Sequence, residues 1–212
     1  MALVRLAKAL LPAELSQLLL TRGQSTFAKA YADTLLLLIR VDANADLRDG
    51  LLPASNERHS EAYLPARNLG YQTELHTLEA LRELMASAER SREQQLQTIT
   101  DALSSGQHVA VPLRKRPAAD QISLERISLG RASNKDIVLR DASVSKFHAW
   151  FELFEARDFG IADGGSTNLT RVNGRPLTPR QLVHLTPGDR LQFGSVSAVL
   201  CEAEALWNAA HP

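Results

Sequence analysis

The sequence predicts an α+β protein with a mainly helical N-terminal region (residues 1–106), an all-β sandwich (107–202) and a C-terminal tail (203–212). Two observations support this division. In parts of the first region, leucines recur every three to four residues, as they do along one face of a helix. From His108 onward, short apolar runs alternate with turns rich in Gly, Pro, Asn and Asp, which is the pattern of a β-sandwich.

The composition is that of an ordinary globular protein and limits the classes of ligand. The 212 residues are 44% hydrophobic and 23% charged, and the formal net charge is zero. Residues 107–202 contain 13 Lys or Arg and 10 Asp or Glu, a net charge of +3. This excess suits an anionic ligand but is too small to indicate a nucleic-acid partner.

Cysteine content and hydropathy indicate the cellular compartment in which the protein is expected. The single cysteine, Cys201, cannot form an internal disulfide, and its apolar neighbours predict a buried strand residue. No apolar run approaches the roughly 18 residues that a membrane span requires. Arg5 and Lys8 interrupt the apolar N-terminal stretch, and no small-residue cleavage site follows it. We therefore expect a cytoplasmic protein with no membrane partner.

The first hundred residues give signals of unequal strength. Residues 2–20 have the leucine spacing of a helix. Residues 27–41 fit either a helix or a buried strand, and we predict a helix to about Asp33 followed by a strand. Residues 42–70 are rich in Asp, Asn, Ser, Pro and Gly and predict a long connection.

The segment from Glu74 to Leu103 gives the clearest helical signal, because apolar residues recur along it as one stripe. Leu96, Ile99 and Leu103 form the C-terminal part of this stripe. Two interpretations follow. The helix either packs on its own domain or provides a surface for self-association or for a partner. The stripe is too short and too interrupted to predict a coiled coil.

In the sandwich region, residues suited to chemistry cluster between the predicted strands. The strand-like segments are 136–139, 149–154 and 159–162. The clusters between them are Gly130-Arg131, Ser145-Lys146-Phe147-His148, Asp163 to Asn168, and Val172-Asn173-Gly174. Loops at the ends of a rigid sheet scaffold can aim several such side chains at one ligand.

Taken in this order, the clusters resemble the forkhead-associated domain, the phosphothreonine-binding β-sandwich. A Gly-Arg pair precedes Asp-Ile-Val-Leu, and a Ser-Lys-x-His replaces the family's usual Ser-Arg-x-His. The sequence Asp-x-Gly-Ser-Thr-Asn-x-Thr-x-Val-Asn-Gly follows, and residues 188–194 match the family's final hairpin. The resemblance covers roughly half of the chain. It implies an all-β forkhead-associated sandwich after the helical region.

The resemblance also implies a site. A phosphothreonine carries a charge of about −1.5 to −2 and three strong acceptor oxygens, so that its site needs a cation and several neutral donors. The implied phosphothreonine-binding residues are Arg131, Ser145, Lys146, Thr167 and Asn168. The implied peptide-selectivity residues are Ser143, Lys135 and Leu169. The residues with implied structural roles are Gly130, His148, Gly165, Asn173 and Gly174.

Three positions depart from the family pattern. Leu169 replaces a glycine that usually follows Ser-Thr-Asn, so that the loop either bends differently or offers an apolar contact. Lys135 stands where Asn is common, and Arg171 replaces a frequent aromatic residue. None of these substitutions removes a position that contacts the phosphate.

Catalytic and metal-binding signatures are absent from the sequence. It contains no Gly-x-Ser-x-Gly, P-loop, His-Glu-x-x-His or Cys-x-x-Cys pattern, and its six histidines lack metal-ligand spacing. We therefore expect no enzyme, cofactor or metal. The expected partner is a phosphothreonine-containing protein, such as a Ser/Thr kinase or its substrate. The alternative is a structural adaptor that keeps the fold, does not use phosphate binding and interacts through its N-terminal helices.

Overall fold

The computed structural model contains two six-stranded sheets that face each other across an apolar core. The residues that the structure describes are 3–5, 27–29, 31–32, 34–41, 78–105, 107–115, 126–155 and 158–210. Within them the strands are β1 Leu3–Arg5, β2 Leu36–Val41, β3 Gln107–Pro112, β4 Arg126–Gly130, β5 Ile137–Arg140, β6 Ala149–Glu155, β7 Asp158–Asp163, β8 Thr170–Val172, β9 Arg175–Pro176, β10 Val183–His184, β11 Arg190–Phe193 and β12 Val196–Cys201. The helices are α1 Leu78–Ser104 and α2 Ala203–Ala210.

The first sheet has the strand order β1-β5-β4-β6-β7-β10. Neighbouring strands are antiparallel except for β4 and β5, which run parallel with Leu129 opposite Ile137. Because of this parallel pair, the C-terminal ends of β4 and β5 lie at the same end of the sandwich. The predicted strands at 136–139, 149–154 and 159–162 are confirmed as β5, β6 and β7.

The second sheet has the strand order β3-β2-β12-β11-β8-β9 and is antiparallel throughout. The predicted final hairpin is present as β11 and β12, joined at Gly194-Ser195. Strand β2 lies between β3 and β12, although it belongs to the region predicted to be mainly helical. The sandwich is therefore not confined to residues 107–202.

The position of β2 follows from its composition, because it is apolar on both faces. Leu37 and Ile39 face the core between the sheets, whereas Leu36 and Leu38 face the helices on the outer side. A strand covered on both faces reads as a continuous apolar run, as Leu35 to Ile39 does.

Helices cover the outer face of the second sheet. Ile99 of α1 and Leu206 of α2 are fully buried in a second apolar cluster that includes Phe27 and the outward side chains of β2 and β12. Residues 203–210, predicted as a tail, therefore form a helix that packs on the sheet. Trp207 of α2 lies 5.9 Å from the Phe27 ring, centroid to centroid.

The N-terminal predictions are met in part. The helix predicted from Glu74 is present over Leu78–Ser104, and the strand predicted after about Asp33 is β2. In contrast, Leu3–Arg5 is a strand paired with β5, where the leucine spacing predicted a helix. The rest of the predicted helix at 2–20 and the connection at 42–70 lie outside the described residues. Leu96, assigned to the apolar stripe of α1, is 37% exposed, and Gln95 is buried instead.

Candidate functional site

Among the described residues, five loops meet at one end of the sandwich, and we call this end the loop end. The pairing of Leu129 with Ala149, of Ala149 with Asp163 and of Thr170 with Phe193 places the intervening loops together. The loops comprise residues 131–136, 141–148, 164–169, 177–182 and 194–195. All eight residues that the sequence assigned to phosphothreonine binding or peptide selectivity lie at this end.

Gly130 and Arg131 begin the first loop by packing against the second. The Arg131 backbone N–H donates to the Ser145 carbonyl at 2.8 Å, and the Ala132 N–H donates to the Lys146 carbonyl at 3.2 Å. A Cβ atom at position 130 would collide with that Lys146 carbonyl oxygen, so that this close approach requires glycine.

The Arg131 side chain is exposed, and within the described residues it makes a single hydrogen bond. Its Nε donates to the Val144 carbonyl at 3.1 Å. The other guanidinium nitrogens have no partner among the residues that the structure describes. The arginine is therefore oriented by the loop, while the tip of its planar fork faces solvent and can bind an anion.

Ser145 and Thr167 join the second loop to the third. The Thr167 backbone N–H donates to Ser145 Oγ at 3.1 Å, and the two hydroxyl oxygens are 3.5 Å apart. Thr167 and the neighbouring Lys146 are exposed, and Ser145 is half-buried. Two hydroxyl groups and an ammonium group are thus available on adjacent loops.

Asn168 ties the third loop to Ser143, because its Nδ2 donates to the Ser143 carbonyl at 2.8 Å. The Ser143 hydroxyl is also engaged. It donates to Asp141 Oδ1 at 2.5 Å and accepts the Ser195 N–H at 2.8 Å. The role of Ser143 in peptide selectivity stays a prediction, and its polar groups serve to join loops in this structure.

Lys135 is 8% exposed, and its ammonium lies 5.3 Å from the centre of the Phe147 ring. Phe147 in turn stacks on Trp150, with their centroids 5.9 Å apart and the rings nearly parallel. The structure thus places Lys135 against Phe147, in the loop that carries Ser145. Its assignment to peptide selectivity likewise stays a prediction.

Leu169 has a φ of 63°, in the left-handed region that favours glycine. The loop therefore keeps a glycine-like bend at this position although the residue is leucine. The Leu169 carbonyl accepts hydrogen bonds from the Gly194 N–H and from the His148 ring. These two bonds hold the unusual backbone conformation.

His148 is fully buried and joins the second and third loops. Its Nδ1 accepts the Ser145 N–H at 3.1 Å, so that Nε2 carries the proton and donates to the Leu169 carbonyl at 3.3 Å. Burial lowers the pKa of His148 below its ordinary 6.5, although the bond to Leu169 and the nearby Asp163 carboxylate act in the opposite direction. The neutral ring is positioned to orient Ser145.

Asp163 organises the third loop, a role that the sequence analysis missed. Its buried carboxylate accepts the backbone and hydroxyl hydrogens of Ser166 and Thr170, and also the Gly165 N–H, over distances of 2.6–3.0 Å. Burial alone would raise the pKa of Asp163, but these hydrogen bonds outweigh it, and the pKa lies below the ordinary 3.8. The Asp-Gly-Gly-Ser sequence, typical of a side-chain-capped turn, was the signal that could have revealed it.

The remaining residues with implied structural roles are turn residues. Gly165, in the third loop, has a φ of 81°. Asn173 and Gly174 also have positive φ and connect β8 to β9 at the opposite end of the sandwich. There, Asn173 exchanges hydrogen bonds with Arg190 and donates to Asp189. Asn173 and Gly174 are therefore distant from the loop end.

The described residues contain neither a candidate metal site nor a candidate membrane-spanning helix. None of their His, Cys, Asp and Glu side chains form a group of three that could hold a metal ion. Among these same residues, no helix has both the length and the apolar character that crossing a membrane would require.

Comparisons with known proteins point to one family. A family profile described as the FHA domain matches residues 127–194. The glycogen accumulation regulator GarA of Mycobacterium tuberculosis is 33% identical over 129 residues, which cover 60% of this chain and 76% of GarA. The oxoglutarate dehydrogenase inhibitor of Corynebacterium efficiens is 34% identical over 110 residues, which cover 51% of this chain and 75% of that protein.

Solved structures of FHA domains are also similar to this chain. The FHA domain of an Arabidopsis thaliana hypothetical protein has 26% sequence identity and a TM-score of 0.37, and covers 44% of this chain and 73% of its own. A chain from a study of phosphothreonine-dependent FHA domain interactions has 25% identity and a TM-score of 0.36. It covers 43% of this chain and 82% of its own length.

Proposed function

This chain belongs to the forkhead-associated (FHA) domain family, and on that premise we propose that it binds phosphothreonine segments of a partner protein. The binding would couple the activity of a Ser/Thr kinase to the assembly of a complex. The names of the relatives, a regulator and an inhibitor, support a regulatory protein rather than a catalyst.

One observation carries the proposal: Arg131, Ser145 and Thr167 converge on adjacent loops, and the tip of Arg131 is free of partners within the described residues. A phosphate at this point would meet a permanent cation and two hydroxyl donors. Hydrogen bonds in which one partner is charged are roughly twice as strong as neutral ones. The arrangement therefore favours a dianion over a neutral peptide group.

We assign separate roles to the predicted residues. Arg131, Ser145 and Lys146 contact the phosphate, and Thr167 contributes a hydroxyl beside the threonine methyl group. Asn168 faces the peptide backbone next to the phosphothreonine. One of its two Nδ2 hydrogens is donated to Ser143, so that the second hydrogen and Oδ1 are left to bond the peptide backbone.

The described part of α1 does not favour interaction through the N-terminal helices. Ile99 is fully buried against the second sheet, and Leu103 packs on the same cluster. These residues are therefore used within the chain. Self-association through the helices stays a prediction, and phosphopeptide binding is the function that we favour.

The proposal is tested by binding the whole chain to a degenerate phosphothreonine peptide library, with phosphoserine and unphosphorylated libraries as controls. Selective capture of phosphothreonine peptides is expected. Arg131→Ala should then weaken binding of a captured peptide by at least about 2 kcal/mol, because the phosphate loses its charged partner. This loss corresponds to more than about tenfold in the dissociation constant.

The matched control is Arg175→Ala, which removes an exposed arginine from β9 and leaves the loop end intact. It should bind as the unmodified chain does. Both variants should keep the melting temperature of the unmodified chain. An unchanged dissociation constant for Arg131→Ala would remove Arg131 from the site, and capture that does not depend on phosphate would refute the proposed function.

A further inference from the structure

Arg180 is a cation at the loop end that the phosphothreonine site does not use. It lies in the 177–182 loop, which carries the chain from β9 to β10 across this end. The Arg180 N–H donates to the Asp163 carbonyl at 2.9 Å, and Pro179 forms a β-bridge with Asp163. Asp163 is the residue that organises the loop of Thr167 and Asn168. The backbone of Arg180 is therefore hydrogen-bonded directly to the residue that holds this loop in place.

The backbone at Arg180 has a φ of 65°, in the left-handed region. Residues other than glycine, asparagine and aspartate are uncommon there, because Cβ crowds the carbonyl oxygen. The side chain is exposed, so that packing does not explain an arginine at this position. An unfavourable backbone conformation that is kept at an exposed cation is an outlier of the kind that clusters at ligand-binding sites.

The charge balance of the loop end gives independent support. Its carboxylates are already engaged: Asp163 by Ser166 and Thr170, Asp141 by Ser143 and Ser195, and Asp136 by Lys115 and Ser128. Within the described part of the chain, the Arg180 guanidinium has no partner. Among the described residues, Arg180 is therefore an exposed cation without an ion-pair partner, in addition to the cations assigned to the phosphate.

The position of Arg180 limits what it can reach. Thr167 lies four positions after Asp163, and four positions span at most about 14 Å even when fully extended. An extended peptide covers the same distance in about four residues. A peptide bound at Thr167 that runs toward the 177–182 loop can therefore reach Arg180 with a side chain within about four positions of its phosphothreonine.

Resting on the proposed function, we propose that Arg180 is a specificity-determining residue that selects phosphothreonine segments with an acidic residue within about four positions of the phosphothreonine. A carboxylate there would pair with the guanidinium, for which planar oxygen pairs are the preferred ligands. The partner would thus be recognised at two anionic points, the phosphate by Arg131 and the acidic side chain by Arg180.

The test uses the full chain and a phosphothreonine peptide with neutral flanks. Eight further peptides each carry a single Glu at one of the four positions on either side. The quantity measured is the ratio of the dissociation constants of the neutral and Glu peptides, for the unmodified chain, Arg180→Gly and Arg175→Ala. Glycine suits the positive φ, so Arg180→Gly should keep or raise the melting temperature, which separates lost binding from lost folding.

We expect Glu at one position, or at two adjacent positions, to strengthen binding to the unmodified chain about threefold to fivefold, as exposed ion pairs do. Arg180→Gly should abolish this gain, Arg175→Ala should retain it, and high salt should reduce it. An equal gain in Arg180→Gly, or no gain at any position while the neutral phosphopeptide still binds, would overturn the role of Arg180. If the unmodified chain binds no phosphothreonine peptide, the proposed function itself fails, and this inference fails with it.

Discussion

Replacing Leu169 by glycine and by alanine tests whether the third loop holds this residue in a left-handed backbone. Both substitutions remove the half-buried leucine side chain, so that the difference between them isolates the backbone. Alanine keeps a Cβ atom at the φ of 63° and retains a steric penalty of roughly 1–2 kcal/mol. Glycine avoids this penalty but loses about 0.5–1 kcal/mol more conformational free energy on folding.

The net expectation is that Leu169→Gly is more stable than Leu169→Ala by about 0.5–1 kcal/mol. For a chain of this size, that difference raises the melting temperature by about 1–4 °C. Urea unfolding monitored by tryptophan fluorescence measures the free energies of unfolding directly. The conformation at Leu169 bears on the site because its carbonyl fixes the His148 ring.

Ala142→Gly is the matched control. Ala142 is exposed in the neighbouring loop and is not among the residues with positive φ. Glycine there should lower stability by about 0.4–1 kcal/mol, since it only increases the freedom of the unfolded chain. The sign of the alanine-to-glycine effect should therefore reverse between the two positions. If Leu169→Ala equals or exceeds Leu169→Gly in stability, the left-handed conformation is not what this loop adopts.

Three further predictions follow from contacts around the site and in the core. Gly130→Ala should destabilise the fold by about 1–3 kcal/mol and weaken phosphopeptide binding, because its Cβ collides with the Lys146 carbonyl. Urea unfolding and peptide titration measure the two effects, and an unchanged stability would contradict the close approach. Burial holds the pKa of His148 below 6.5, so that the folded state favours the neutral ring. This contribution to stability is complete above about pH 6.5 and is lost as the pH falls through the lowered pKa. Unfolding free energies of the unmodified chain should therefore fall more steeply than those of His148→Gln over this range, and parallel curves would contradict the assignment. Burial raises the pKa of Cys201 to about 12, so that iodoacetamide at pH 8 should alkylate it only after the chain is unfolded, as mass spectrometry would show. Rapid alkylation of the folded chain would contradict its burial.

Much of the sandwich could be predicted from the sequence because its signals are local. Short strand-like runs predicted β5, β6 and β7, and Asn173 and Gly174, to which the resemblance gave structural roles, occupy a turn with positive φ values. Gly130 was singled out beside Arg131, and the collision that a Cβ would make there supplies its physical reason.

The partners of distant strands were not predictable in the same way. Strand β2 pairs with β3 and β12, which lie 66 or more residues further along the chain. Its apolar run predicted burial but carried no information about which sheet would receive it. At Leu3–Arg5 the spacing of leucines favoured a helix, yet the segment pairs with β5. Pairing with a sheet edge can override local periodicity, because the edge supplies backbone partners that a single sequence does not reveal.

At the loop end, the sequence likewise shows which residue types are present but not which role each residue has. The sequence showed that Asp, Ser, Lys, Asn and Arg cluster there, but each type can either build the loops or bind a ligand. The role of a polar group depends on which loop packs beside it in the fold. The Asn168 amide, for example, donates to the Ser143 carbonyl of the neighbouring loop. The buried carboxylate of Asp163 and the ring of His148 are occupied in this way.

The groups left over are the ones that can recognise a ligand, and they are predominantly cations. Every hydrogen bond that a loop makes internally removes one donor or acceptor from the surface, and at this end the carboxylates are removed first, since they accept several bonds each. The guanidinium tip of Arg131 remains, together with the exposed Lys146 and Arg180. The carboxylates keep their charge but are buried or half-buried in the loops, so that the exposed charges of this end are cations, which suit an anionic ligand. This explains how a chain with a formal net charge of zero can present a site for a dianion.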